Sequence, residues 1–201
     1  MSKAMNPQID EAWCGDLARY PTRPFFKEQS IWAVWVHRFG QRVDRRPAGL
    51  RRRVLTGLYW LLFRAVETVV GISLPKEARI GPGLRIWHFG GIFVHPGTTM
   101  GRNCTLRQGV TLGNRMEGGP APILGDDVEV GAYAQILGDV HIGHGARIGA
   151  MAVVLADVPD GATAVGAPAR VIPQQGDRRT ATQQPRAGEA PRLIWTEHSW
   201  R

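Results

Sequence analysis

"LGDDVEVGAYAQILGDVHIGHGARIGAMAVVLADVP", residues 124–159, places an aliphatic residue at every sixth position: Leu124, Val130, Ile136, Ile142, Ile148 and Val154. Glycine follows several of them, and the fifth place of each unit is small or β-branched. A period this sustained is the signature of stacked repeats. Short strands joined by glycine-permitted turns stack coil on coil, each strand sending one aliphatic side chain into a continuous internal column. Three such strands close one triangular coil, and no unit is stable without its neighbours. A β-sandwich would instead need turn signals spaced by about 8 to 12 residues.

Working toward the N-terminus, the period runs through "IGPGLR" (80–85) and "IWHFGG" (86–91), slips by two residues at Ile92 and Phe93, and resumes as "VHPGTT", "MGRNCT" and "LRQGVT" (94–111). It breaks once, at "LGNRMEGGPAPI" (112–123). The expected fold is therefore mainly β, a parallel β-helix covering 73–173. Residues 1–72 form a lead-in and helices: 1–29 are polar, proline-punctuated and extended or partly helical, and 30–71 hold two helices. Ser30 is the predicted first cap, Pro47 and Gly49 separate the helices, and Gly71 ends the second. Residues 174–201 are too polar to bury enough apolar surface and are expected to be disordered.

The chain has 201 residues, 43% of them hydrophobic, enough for one sizeable core. Cys14 and Cys104 have no C-x-x-C partner, which argues against a disulfide framework or a thiolate zinc site. No secretory signal precedes the lead-in, so a cytoplasmic location is expected. The net charge of +8 is concentrated in "HRFGQRVDRRPAGLRRR", residues 37–53. Arg64 and Glu67 interrupt the apolar run that follows, leaving it short of the roughly 20 residues a membrane span needs. A basic amphipathic helix of this kind can rest on a membrane surface, a contact peripheral to the inner face. No nucleic-acid module accompanies the arginines, so nucleic acid is not an expected partner.

The hexads, the "HFGGI" stretch, "GVTLGN" and the closing "AVGAPARVI" together resemble the hexapeptide-repeat acyltransferases, most closely serine acetyltransferase and its short relatives from polysaccharide gene clusters. The resemblance covers roughly residues 71–172. It implies a left-handed coil, a homotrimer with sites in the clefts between neighbouring coils, and acetyl-CoA as donor. The left hand comes from the family alone, since parallel crossovers are otherwise right-handed in about 98% of cases. The lead-in is shorter than the region that pairs trimers in full-length serine acetyltransferases, so a single trimer is expected.

Acetyl transfer to a hydroxyl needs a base, because an alcohol is a poor nucleophile at neutral pH. In the resembling family the histidine of "HxxGI" is that base, and His88 stands there. Gly90 and Gly91 are candidate N–H donors to the oxyanion. The family's pantetheine groove maps to Gly113, Asn114, Ala132 and Ala150, and its basic positions near the nucleotide map to Arg147 and Arg170. His95 is a second candidate polar group in the pocket. His141 and His144 lie three apart, but no further ligand has suitable spacing, so no metal is expected.

The departures concern the acceptor. Ser73 stands where the family has the aspartate that orients the histidine, leaving Glu67, Glu77 or a backbone carbonyl as substitutes. Trp87 stands where an acidic residue precedes the histidine, and Pro120 and Ala121 replace the Arg-His pair that meets the amino acid. A buried amino acid needs partners for both its charges. Trp87 and Phe89 instead offer flat surfaces on which a sugar ring stacks, so a saccharide hydroxyl is the expected acceptor. Serine, with Arg115 and Glu117 as substitute charges, is the alternative, and an inactive β-helix scaffold at a membrane surface is the non-enzymatic one.

Overall fold

A computed structural model describes residues 7–173. The repeats form a parallel β-solenoid of three faces. The first face is β1 (Ile72–Ser73), β4 (Ile92–Val94), β7 (Thr111–Gly113), β10 (Gln135–Leu137) and β13 (Val153–Val154). The second holds β2 (Arg79–Ile80), β5 (Thr99–Met100), β8 (Ile123–Leu124) and β11 (His141–Ile142). The third holds β3 (Arg85–Trp87), β6 (Thr105–Arg107), β9 (Glu129–Val130), β12 (Arg147–Ile148), β14 (Thr163–Val165) and β15 (Arg170–Ile172). Successive strands visit the faces in strict rotation from β1 to β13, as a three-sided coil requires.

The hexad initials are the internal columns. Ile80, Met100, Leu124 and Ile142 stand in register on one face. Ile86, Leu106, Val130, Ile148 and Ala164 do so on another, and Val94, Leu112, Ile136 and Val154 on the remaining one. All are buried in one continuous core. Both irregularities of the period have a structural counterpart. At 112–123 the chain leaves the wall after Gly113 and re-enters at Ile123, so the added residues form an external loop. At Ile92–Phe93 the pairing shifts by two residues along the strand: Ile92 pairs with Ile72 below while Val94 pairs with Leu112 above.

The N-terminal segment is α1 (Pro7–Ala18), α2 (Pro24–Lys27), α3 (Ser30–Asp44) and α4 (Leu50–Val70). The break and the end of the helical pair fall as predicted, with Gly71 in the left-handed region at φ 69°. Ser30 differs from expectation. Gln29 occupies the cap position without a side-chain bond, and the Ser30 hydroxyl donates instead to the Ile86 carbonyl at 2.9 Å.

The lead-in also does more than precede the coil. The first turn of a solenoid has no turn beneath it, so its outward backbone groups lack partners. Side chains of α1, of the two residues after it and of α3 supply them. Arg38 donates to the carbonyls of Ile80 and Gly81, each at 2.7 Å. Asp16 accepts from the N–H groups of Gly83 and Leu84 at 2.9 and 2.8 Å. Gln41 donates to Ala78, and the Tyr20 hydroxyl accepts from Ile86 N–H. Arg19 reaches the carbonyls of Gly83, Asn103 and Cys104. Asp16 and Arg38 are themselves a buried pair at 2.8 Å, and burial pushes the Asp16 carboxyl up against the pull of the guanidinium.

His37, fully buried, donates from Nδ1 to the Pro75 carbonyl at 2.9 Å, while its Nε2 has no partner among the described residues. Burial, helped by the nearby Arg38 charge, lowers its pKa to about 3. The unfolded chain binds a proton here below about 6.5 and the folded chain does not until about 3. Stability from this site is complete above about 6.5 and falls by about 1.4 kcal/mol per pH unit on acidification through that window. Urea unfolding at pH 7 and pH 5 should show this site costing about 2 kcal/mol at the lower pH, a loss that His37→Asn removes. An equal loss in the variant would place the acid sensitivity elsewhere.

Candidate functional site

The site grows out of the two-residue slip. Between the third and first faces the chain normally takes six residues from one internal position to the next, as from Leu106 to Leu112 or Val130 to Ile136. From Ile86 to Val94 it takes eight. The regular corners stack through left-handed residues, Gly91, Gly109, Tyr133 and Met151, joined by bonds such as Gly109 N–H to Gly90 O and Tyr133 N–H to Gln108 O. The extra residues lift His88 out of that ladder, itself at φ 66°, with an exposed ring. A β-unbranched residue tolerates this conformation at modest cost.

Trp87 and Phe89 flank His88 and are 44% and 51% exposed. Neither ring points into the coil. Behind Trp87 lies Arg85, whose guanidinium sits 4.4 Å from the Trp87 ring and 4.1 Å from that of Tyr20. Arg85 is buried and donates to Glu28 at 2.6 Å. Together the α2–α3 junction and this corner enclose a cleft of about 290 Å³ lined by Lys27, Glu28, Gln29, Ser30, Trp87, His88 and Phe89. Lys27 and Glu28 escaped sequence reasoning, because nothing in their spacing ties them to a histidine sixty residues later.

No hydrogen bond from a described residue reaches the His88 ring. Of the substitutes considered for its missing aspartate, Glu67 pairs with Arg64 at 2.8 Å on α4, and Glu77 is exposed. The N–H groups of Gly90 and Gly91 donate to no described acceptor, so both stay available beside the imidazole. The Gly71 Cα approaches the same corner so closely that a Cβ there would stand 3.1 Å from the Gly90 Cα.

The remaining sequence candidates are distributed along the coil. Ala132 and Ala150 lie on the corner ladder that begins beside His88, Ala132 accepting from Met151 N–H at 2.8 Å. Gly113 and Asn114 follow on the adjoining face, at the end of β7. Arg147, on β12, is exposed and 3.8 Å from Glu129, and Arg170 is exposed on β15. His95 is placed apart from the cleft, at the next corner after β4, where its Nδ1 accepts from Gly97 N–H at 3.0 Å. Arg115 is occupied: it donates to the carbonyls of Leu137 and Leu155 and so ties the external loop to later coils. His141 and His144 each face a single aspartate at 3.9 and 3.8 Å, and among the described residues no group of three or more ligating side chains could hold a metal.

Comparison with known proteins agrees with this architecture. The family model "Bacterial transferase hexapeptide (six repeats)" matches residues 121–156. A serine acetyltransferase from Helicobacter pylori is 45% identical over 144 residues, 71% of this chain and 80% of that protein. One from Bacillus licheniformis is 34% identical over 150 residues, 74% of this chain but only 66% of that relative. Among solved structures, a soybean serine acetyltransferase complexed with serine superimposes with a TM-score of 0.71 at 32% identity, covering 83% of this chain and 70% of that one. The solenoid is thus the left-handed β-helix the sequence leads one to expect, and the chain belongs to the serine acetyltransferase family of hexapeptide-repeat acyltransferases.

Proposed function

We propose that His88 is the general base of an acetyl-CoA-dependent O-acetyltransferase whose acceptor is L-serine. The carrying observation is the corner excursion, which holds an exposed imidazole over a small cleft with unengaged backbone N–H groups beside it. The imidazole takes the hydroxyl proton as the oxygen attacks the thioester carbonyl. The Gly90 and Gly91 N–H groups, which donate to no described acceptor, are the candidates to stabilise the oxyanion. The C–S bond then breaks, and His88 returns the proton to the departing CoA thiolate.

The small residues Ala132 and Ala150 leave the corner open for the pantetheine arm, with Gly113 and Asn114 on the adjoining face. Arg147 and Arg170 are suited to phosphate. The exposed Arg147–Glu129 pair at 3.8 Å is worth under about 1 kcal/mol and opposes this little. The family resemblance supports a homotrimer, and flat prism faces suit packing about a three-fold axis.

On the acceptor, the relatives' names favour serine over the saccharide hydroxyl expected from the sequence. The cleft agrees in size, since about 290 Å³ lies just below the roughly 300–1,000 Å³ range of ligand pockets and suits a small acceptor. A saccharide is the second reading, favoured by the exposed Trp87 and Phe89. Thiol release from acetyl-CoA, followed with L-serine and with a panel of nucleotide sugars, separates the two. No turnover with any acceptor, and no CoA binding by calorimetry, would defeat the enzymatic reading.

The finer location, at an anionic membrane surface, is supported by α4. Leu50, Val54, Leu58, Leu61 and Val69 form an exposed apolar stripe along it, bordered by Arg51, Arg53 and Arg64. No described helix is long and apolar enough to cross a membrane. At about 1 kcal/mol for each arginine near a charged surface, replacing Arg51 and Arg53 with serine should weaken flotation with phosphatidylglycerol vesicles by roughly thirtyfold. Equal flotation of the variant, or equal binding to neutral phosphatidylcholine, would remove the electrostatic contact.

A further inference from the structure

The family's charged partners for a free amino acid are absent at Trp87, Pro120 and Ala121, and Arg115 is spent on backbone carbonyls. Yet a zwitterion entering a cleft beside His88 must exchange water for a cation and an anion. The cleft has one of each, from consecutive residues of the α2–α3 junction: Lys27 and Glu28.

Resting on the reading of serine as acceptor, we propose that this cleft is the amino-acid subsite, in which Glu28 receives the α-ammonium and Lys27 the α-carboxylate. Glu28 is suited to the role by its restraint. Its Oε1 is held at 2.6 Å by Arg85, whose side chain is only 3% exposed and is clamped between two aromatic rings. A carboxylate has lone pairs to spare after one such bond, so Glu28 keeps acceptor capacity facing the cleft. Glu28 is half-buried, where charge-assisted hydrogen bonds are stronger than at an open surface. Lys27 is exposed, and its flexible ammonium contributes a weaker, steering attraction. Ser30 and Tyr20 fix the junction to β3 through the Ile86 carbonyl and N–H, so the charges and His88 share one rigid base.

The same segment explains why Trp87 replaces an acid. Its ring covers Arg85, and Arg85 orients Glu28, so the anionic function has moved from the histidine's neighbour to a residue across the cleft.

The test is steady-state kinetics of the full chain, Lys27→Gln and Glu28→Gln, using acetyl-CoA with L-serine, L-serinamide and 3-hydroxypropionate. The amide lacks the carboxylate and the hydroxy acid lacks the ammonium. Glu28→Gln should raise KM for L-serine about tenfold or more while leaving KM for 3-hydroxypropionate in place. Lys27→Gln should raise KM for L-serine about threefold and leave that for L-serinamide in place. CoA binding by calorimetry reports folding; if Glu28→Gln loses it through Arg85, the Lys27→Gln result decides. Wild-type turnover of L-serine with unchanged KM in both variants would overturn the subsite and leave serine as acceptor. Absence of wild-type turnover with L-serine would overturn both.

Discussion

His88→Ala should lower acetyl transfer by about 10²–10⁴-fold, the usual contribution of a positioned proton acceptor, while CoA affinity and unfolding midpoint stay near wild type. The division follows from the corner. The imidazole is exposed and bonded to no described side chain, so its loss opens no cavity and strands no buried partner. The φ of 66° at residue 88 costs alanine a little more than histidine, a local strain too small to unfold the coil. What disappears is the acceptor for the hydroxyl proton. Thiol release at saturating acceptor and calorimetric CoA binding check the two halves separately. A variant that keeps its rate would move the base elsewhere, and one that loses CoA binding would show that the ring supports the groove.

The second large effect belongs to stability. Asp16→Ala should cost about 3–5 kcal/mol, because it leaves the Arg38 cation buried and takes the acceptor from two backbone N–H groups of the first turn. Arg38 would keep its bonds to the carbonyls of Ile80 and Gly81, so the clamp loosens without vanishing. Asp16→Leu combined with Arg38→Leu should be milder than the single change despite removing more polar groups, since no unpaired charge remains. Urea midpoints at fixed protein concentration give the comparison, concentration mattering for any oligomer. If Asp16→Ala shifts stability by less than about 1 kcal/mol, the lead-in does not close the end of the solenoid energetically.

The coil was legible because its period is an internal property: each hexad initial meets its counterpart in the next turn, so Leu124, Val130 and Ile136 announce their own burial. The slip at Ile92–Phe93 was equally visible, but its effect, lifting His88 off the corner ladder, appears only when the corners are stacked. The lead-in was opaque for the opposite reason. Asp16, Arg19 and Arg38 look like solvated charges, and besides the Asp16–Arg38 pair most of their partners are backbone groups that leave no mark in a sequence. The acceptor charges were sought in the 112–123 loop, where Arg115 stands; its guanidinium instead binds carbonyls of Leu137 and Leu155. Lys27 and Glu28 reach the cleft only through the packing of α2 and α3 on β3. The preference for a saccharide rests on the missing charges at Trp87, Pro120 and Ala121 and on two aromatic rings; those rings are indeed exposed, but Trp87 already spends one face on Arg85.

A stack of identical turns has no internal reason to stop, and each of its ends is a template for another chain. Here the two ends are finished differently. At the N-terminal end polar side chains from α1 and α3 impersonate a missing turn, and at the other β15 folds back antiparallel on β14. The first terminator is a set of separate contacts, so it can fail by degrees as a single residue is changed or the helices fray. The consequence lies in misassembly: proteins weakened at Asp16 or Arg38 should pair head to head through the uncovered first turn, since the other end stays closed by β15, well before the interior of the coil melts.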